Sequence, residues 1–202
     1  MAKQQRIAKA RRPYRLRARA AGMDRTRQRI TEAAIELHGT IGPAGTTLSA
    51  VAERAGVTRA TLYRHFENED TLFTACSAEW LAANPRPGLA RWAAIEDPAE
   101  RLATALDELY AWYRSTEAMR SNLLRDIDAL PARIAAGIRA FPASMRDVLD
   151  VGWPATGGSG ALRRAALGHA VAFDTWRSLI HEGLDDDQAA AMMVGFVTNA
   201  GR

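Results

Sequence analysis

A single cysteine stands among 202 residues, so Cys76 has no partner for an intrachain disulfide, and it lies in no metal-ligand spacing. That usage fits a reducing compartment, and a cytoplasmic location is expected. No apolar run is long enough to cross a bilayer, so no membrane partner is expected. The cationic N-terminus is not followed by a hydrophobic stretch, which argues against a secretory signal. Arg11-Arg12 leads into Pro13, Tyr14 and Arg15, which is not a twin-arginine export pattern. Strand patterning is nearly missing, because β-branched residues rarely alternate with polar ones. No glycine-rich phosphate loop follows a strand, and Gly157-Gly158-Ser159-Gly160 reads as a linker between helical stretches. The four histidines, at 38, 65, 169 and 181, are dispersed, with no recognisable nucleophile beside any of them. An enzyme is therefore the less favoured class, and no cofactor or metal is implied.

Acidic residues are also missing from the first 22 positions, which carry eight lysines and arginines. Residues 23–67 are close to balanced, and residues 68–202 are acidic overall, so the net charge of +4 hides a basic end on an acidic body. Such an asymmetry points to a polyanion at the N-terminal end, or to a solvated tail.

What the sequence does contain is helical spacing. Ile30, Ala34, Leu37 and Ile41 recur at three- and four-residue intervals and predict a helix from about Asp24 to Ile41, stopped by Gly42. Thr47 can cap a second helix, with Gly56 ending it, and Thr58 a short third one. Asn68 can cap a fourth, which Pro85 and Pro87 interrupt. Asp97-Pro98-Ala99-Glu100 is a strong helix start, followed by the stripe Leu102, Leu106, Leu109 and Tyr113. Pro131 opens a further helix that Pro142 kinks or divides. Gly152–Gly160 is the clearest interior loop. Leu162, Ala166, His169, Phe173, Trp176 and Ile180 then form a bundle-like seam. Asp185 with Gln188 begins a last helix, in which Ala189, Met192 and Phe196 share a face. The fold class is all-α, with about nine helices. The expected divisions are a basic arm without fixed structure over 1–22, a small helical domain over 23–67, and a body over 68–202.

The most informative stretch is Thr46 to Phe66. Two short helices flank the turn Ala55-Gly56-Val57, as a helix-turn-helix requires. Leu48, Val51, Ala52, Val57, Leu62 and Phe66 lock the angle between them. Thr58, Arg59, Ala60, Thr61, Tyr63 and His65 are left on or near the exposed side. Arg59 has the fork to bond guanine, Thr61 suits a thymine methyl or a hydrogen bond, and Ala60 permits close approach. A buried helical hairpin of another kind would show the same apolar pattern.

The whole string is more specific. The threonine pair, Ala55-Gly56-Val57-Thr58 and Leu62-Tyr63-Arg64-His65-Phe66 resemble the signature of the tetracycline-repressor (TetR) family, over roughly Arg27 to Leu72. The resemblance implies that Thr47, Tyr63 and His65 hold phosphates of double-stranded DNA, while Thr58, Arg59, Ala60 and Thr61 face bases. It also implies a homodimer joined by the last two helices, and a body that binds a small-molecule effector. One departure is Glu69 followed by Asp70, where the family commonly has lysine; acidic groups there favour the helix start but cannot hold a phosphate.

Arg11, Arg12, Arg15, Arg17 and Arg19 exceed what the signature needs. A DNA-tracking arm, a passive tail and a translation start at Met23 all fit them. Tyr110, Tyr113, Met145, His169 and Phe173, with Trp112, Met119, Trp153 and Trp176, have the character of a pocket for a largely apolar effector; aromatic rings at helical spacing also serve as plain core. The expected function is a ligand-released repressor on a palindromic operator, the alternative a ligand-independent architectural DNA binder.

Overall fold

Thr47, Thr58, Asn68, Asp97 and Asp185 each accept the backbone N–H three residues ahead, at 2.7–3.2 Å. These side chains satisfy donors that a helix start would otherwise leave open, so each fixes a boundary locally. At Asp185 the Gln188 side chain returns the bond, completing a capping box. The computed structural model describes the backbone of residues 2–153 and 159–200, and side chains over 21–153 and 160–200. Among these residues there are ten α-helices and no strand.

The chain divides into two units, 1–80 and 81–202, with the division falling inside α4. The first contains α1 (Ala2–Thr40), α2 (Leu48–Arg54), α3 (Arg59–His65) and most of α4 (Glu69–Ala83). Helix α1 begins well ahead of the expected start near Asp24. Residues 2–22, expected to lack fixed structure, continue as helix, in keeping with a segment rich in alanine, arginine, lysine and glutamine. The side chains of Arg11, Arg12, Arg15, Arg17 and Arg19 lie outside the described residues. The core of this unit gathers Ile30, Ala33 and Ala34 from α1, Val51 and Ala52 from α2, Leu62 from α3, and Leu72 and Cys76 from α4.

The second unit contains α5 (Leu89–Ala93), α6 (Pro98–Arg125), α7 (Ala132–Leu149), α8 (Ser159–Ala170), α9 (Phe173–His181) and α10 (Asp186–Asn199). Helix α6 is its spine and packs chiefly against α10, with α5, α7 and α9 also against it. The expected stripe Leu102, Leu106, Leu109 and Tyr113 is wholly buried. Pro142 lies inside α7 without dividing it, because Phe141, Met145 and Leu149 are buried on either side and hold the helix to the core. The seam from Leu162 to Ile180 is two helices rather than one. Tyr110 and Tyr113 donate their hydroxyls to the carbonyls of Ala170 and Val171, at 2.8 and 2.6 Å, and so accommodate the break between α8 and α9. In α10 the buried row is Ala189, Ala190, Met193 and Val197, while Met192 and Phe196 are exposed. Residues 154–158 of the expected Gly152–Gly160 loop lie outside the described residues.

One buried arginine ties two distant turns of this unit together. Arg101, 4% exposed, donates to the carbonyls of Ile95 and Glu96 before α6, and to that of Val151 after α7 at 2.6 Å.

Candidate functional site

Helices α2 and α3 are seven residues each, too short to persist alone. Burial holds them: Val51, Ala52, Leu62 and Phe66 are 1–2% exposed, and Leu48 and Val57 pack against the same cluster. The turn between them depends on Gly56, whose φ of 64° is left-handed and unfavourable for a side chain. An exposed Arg54–Glu36 ion pair joins α2 to α1, with Nε 2.8 Å from Oε2.

With one face of α3 committed to the core, the other is open. Thr58, Arg59, Ala60 and Tyr63 are exposed, Thr61 and His65 half-buried, and Thr47 exposed at the start of α2. The structure therefore brings all seven expected residues onto the α2–α3 pair. The two threonine caps are partly committed. Thr47 Oγ1 accepts from Ala50 N, and Thr58 Oγ1 accepts from Thr61 N and lies 3.0 Å from Thr61 Oγ1. Each hydroxyl oxygen used as an acceptor leaves its own hydrogen for another partner.

Arg59 and Tyr63, one turn apart, interact directly. The Arg59 Nη2 donates to the Tyr63 hydroxyl at 3.3 Å, and the guanidinium carbon lies 5.8 Å from the ring centroid. An arginine held in this way still presents further N–H groups in a planar fork, the geometry that suits guanine O6 and N7. Burial lowers the pKa of His65, and the positive Arg64 and Arg27 lower it further. The neutral form of His65, with one ring N–H to donate, is thereby favoured. Arg27, which sequence reading assigned no role, donates to the His65 carbonyl and covers Phe66.

Glu69 and Asp70 stand exposed in the first turn of α4, where they complement the helix dipole. Cys76 is buried and its thiol donates to the Leu72 carbonyl; burial pushes its pKa up to about 12, so it is a packing residue rather than a reactive thiol.

In the second unit the expected pocket residues separate. Tyr110, Tyr113 and Met145 are wholly buried and Phe173 nearly so. Tyr113 meets Phe173 edge-on at 5.2 Å and Trp176 at 5.8 Å. His169 stands apart from that cluster, exposed, with Nδ1 3.2 Å from the Thr175 hydroxyl and its ring 6.1 Å from Phe196. It lines an open groove of about 640 Å3 with Thr175, Leu179, Met192, Met193 and Phe196. The sequence reading missed Arg120, whose guanidinium lies against Trp112, Tyr113 and Phe173 at 4.6, 4.7 and 5.2 Å. A signal for it existed. The buried stripe at 102, 106, 109 and 113 continues at the same alternating intervals through Thr116 to position 120, where a charged residue occupies a core-facing place.

Residues 30–76 match the family model described as bacterial regulatory proteins, tetR family. An uncharacterized HTH-type transcriptional regulator of Mycobacterium tuberculosis is 32% identical over 91 residues, which is 45% of this chain and 45% of that protein. The HTH-type transcriptional regulator SrpR of Pseudomonas putida is 43% identical over 53 residues, 26% of this chain and 25% of its own. The match thus spans less than half the length of these curated relatives. Among solved structures, NalD of Pseudomonas aeruginosa, the secondary repressor of the MexAB-OprM multidrug efflux pump, has a TM-score of 0.59 at 21% identity, over 88% of this chain and 95% of its own. A tetR-family regulatory protein from Rhodococcus RHA1 has a TM-score of 0.60 at 20% identity, over 87% and 96%. At these identities the two structures establish a shared fold.

Proposed function

We propose that the chain, whose residues 30–76 match the tetR-family model, is a TetR-family dimeric transcriptional repressor that binds a palindromic operator and is released by a small molecule. The observation that carries the DNA-binding half is the exposed face of α3. Arg59 and Tyr63 project from a short helix whose opposite side, Leu62 and Phe66, is fully committed to the core. A helix so anchored enters a major groove as a rigid reading head, with base-facing groups at its N-terminal end and phosphate-holding groups flanking them.

One helix-turn-helix per chain covers half a site, so operator recognition calls for two copies. The face of α8–α10 supports this. Leu162, Met192 and Phe196 are 63%, 56% and 51% exposed, and the groove beside His169 has Met192 and Phe196 on its wall. A second copy, packing the same face, would remove these side chains from water. Release by an effector needs a molecule that binds one arrangement of the dimer better than the other, and its effect is bounded by that difference.

Selection of bound sequences from a random DNA pool tests the reading. The expected result is an enriched inverted repeat with half-site centres about 34–36 Å apart or more. Enrichment of an asymmetric site would reject the dimeric operator, and protection of DNA without any preferred sequence would favour an architectural binder instead.

A further inference from the structure

We propose that Arg120 and Arg86 form an anion subsite within the second unit, and that the effector it serves is an aromatic carboxylate. The proposal rests on the reading that this unit takes an effector, and supplies that effector's chemistry.

Ionic pairing is the rule in this unit. Arg114, Arg125, Arg139, Arg163, Arg164 and Arg177 each meet an aspartate within 3.3 Å. Arg120 is the exception that is also enclosed by rings. Its Nε is fully buried and has no hydrogen-bond partner, and it makes no ion pair among the described residues, although Glu117 lies one turn back on the same helix. Three rings cover the guanidinium, and they attract a cation through their faces but accept none of its N–H bonds in the way an oxygen does. Arg146 in α7 also has a partnerless Nε, but among the described residues no ring covers it.

The second cation is Arg86, on the turn between α4 and α5. Its guanidinium carbon lies 4.7 Å from the Phe141 ring, and Phe141 meets Trp112 edge-on at 6.0 Å. The two arginines thus flank one aromatic group, Trp112 with Phe141, and Arg86 makes no ion pair among the described residues. Burial lowers the pKa of both, and Arg86 acts on Arg120 in the same direction. Arginine nevertheless keeps its proton inside a protein. Two like charges of this kind, one of them desolvated, are therefore relieved by an anion rather than by deprotonation.

The anion's shape follows from its surroundings. A guanidinium lying on rings directs its N–H groups edgewise, and that planar fork matches a carboxylate bidentately. The adjoining rings, Trp112, Tyr113, Phe141 and Phe173, are 0–9% exposed, so a flat apolar body stacks on them by entering the core they form. A carboxylate attached to an aromatic ring presents both features in one small molecule.

Isothermal titration of the full chain with 1-naphthoate tests this, with 1-naphthalenemethanol as the uncharged analogue and sulfate as an inorganic anion at matched ionic strength. Naphthoate is expected to bind once per chain, at least about tenfold more tightly than the alcohol, as charge-assisted hydrogen bonds imply. Arg120→Met should abolish that advantage, and Arg86→Gln, at an exposed position, should reduce it severalfold while leaving the circular dichroism spectrum unchanged. Equal affinity for naphthoate and the alcohol would overturn the subsite, as would naphthoate binding indifferent to both substitutions. Sulfate competing as well as a second carboxylate would overturn the aromatic-carboxylate assignment. Operator release is read separately on the selected DNA. Naphthoate that binds through both arginines yet leaves operator affinity unchanged would uphold the subsite and reject its role as effector site, whereas failure to select an operator would reject the regulator reading alone.

Discussion

Arg27 of α1 donates from Nη1 to the backbone carbonyl of His65, 38 residues along the chain, at 2.7 Å. The same guanidinium lies 4.0 Å from the centroid of Phe66. It therefore caps the C-terminal turn of α3 and packs on the residue that ends it. Arg27→Ala should destabilise the first unit by about 2–4 kcal/mol at most, the sum of a charge-assisted hydrogen bond and an exposed cation–π contact. Because Arg27 bonds the frame of α3 and not its outer face, affinity should fall for operator and random DNA together. Thermal melting with binding to both DNAs checks this, and loss of base preference without loss of stability would give Arg27 a reading role instead.

Arg59→Ala should relax base preference at one operator position, removing about 1–3 kcal/mol of discrimination. Tyr63→Phe removes the hydroxyl that Arg59 donates to at 3.3 Å, so it should weaken binding to every duplex and also loosen the arginine. Competition titrations with operator and mismatched operator separate the two. Equal losses on both DNAs for Arg59→Ala would exclude base reading.

His38 supplies a pH dependence. It is 8% exposed, stacks on Phe73 at 4.7 Å, and burial lowers its pKa to about 4 from an ordinary 6.5. Below 6.5 the unfolded chain takes up a proton that the folded unit resists, so stability falls as pH drops from about 6.5 to about 4 and is level above that window. The loss is on the order of 3 kcal/mol when complete. Denaturant melts at pH 7.5 and pH 5 should show the first unit weakened at the lower value, and His38→Gln should flatten the difference.

Phe196→Glu places a charge on the exposed face of α10 without touching its buried row. If that face joins two copies, each lost apolar side chain removes about 1.5–3 kcal/mol of association, and the added carboxylate repels its symmetry mate. Light scattering should report a monomer with an unchanged helical spectrum, and operator affinity should collapse. A persistent dimer would place the interface elsewhere.

Deleting residues 1–22 removes eight positive charges. Affinity for all duplexes should fall, most at low salt, and the log–log salt slope should shrink by about 0.9 for every phosphate no longer neutralised. Operator preference should survive, because phosphates carry no sequence information. Superimposable salt titrations for the full and Met23-start proteins would mean a passive segment.

Helices α2 and α3 were legible because their signals are local. A threonine three residues before the N–H it caps, a glycine at a left-handed turn and an apolar residue each turn can all be read within a short window, and Thr47, Thr58 and Gly56 act as their positions predict. The second unit was less legible because its decisive interactions are distant. The α8–α9 break contains neither proline nor glycine; two tyrosine hydroxyls meet it from 60 and 58 residues away. Periodicity places Met192 and Phe196 on the face of Ala189 but does not say which row is buried in the chain, and that row runs through Met193 and Val197, one residue on. The five-residue α5 is too short to show a period at all. Arg120 was not legible because a charged side chain suggests exposure, whereas its register continues a buried stripe.

Arg101 sets a rule for how this unit can change length. Its guanidinium serves the carbonyls of Ile95 and Glu96 on one side and, on the other, that of Val151, which lies 50 residues beyond Arg101 along the chain. An insertion in either turn would carry carbonyls away from a donor group that cannot follow both, stranding polar atoms that burial makes costly. Related chains that keep this arginine should therefore vary in the number of residues beyond position 153, and hold the spacing from Ile95 to Arg101 and from Val148 to Val151 constant.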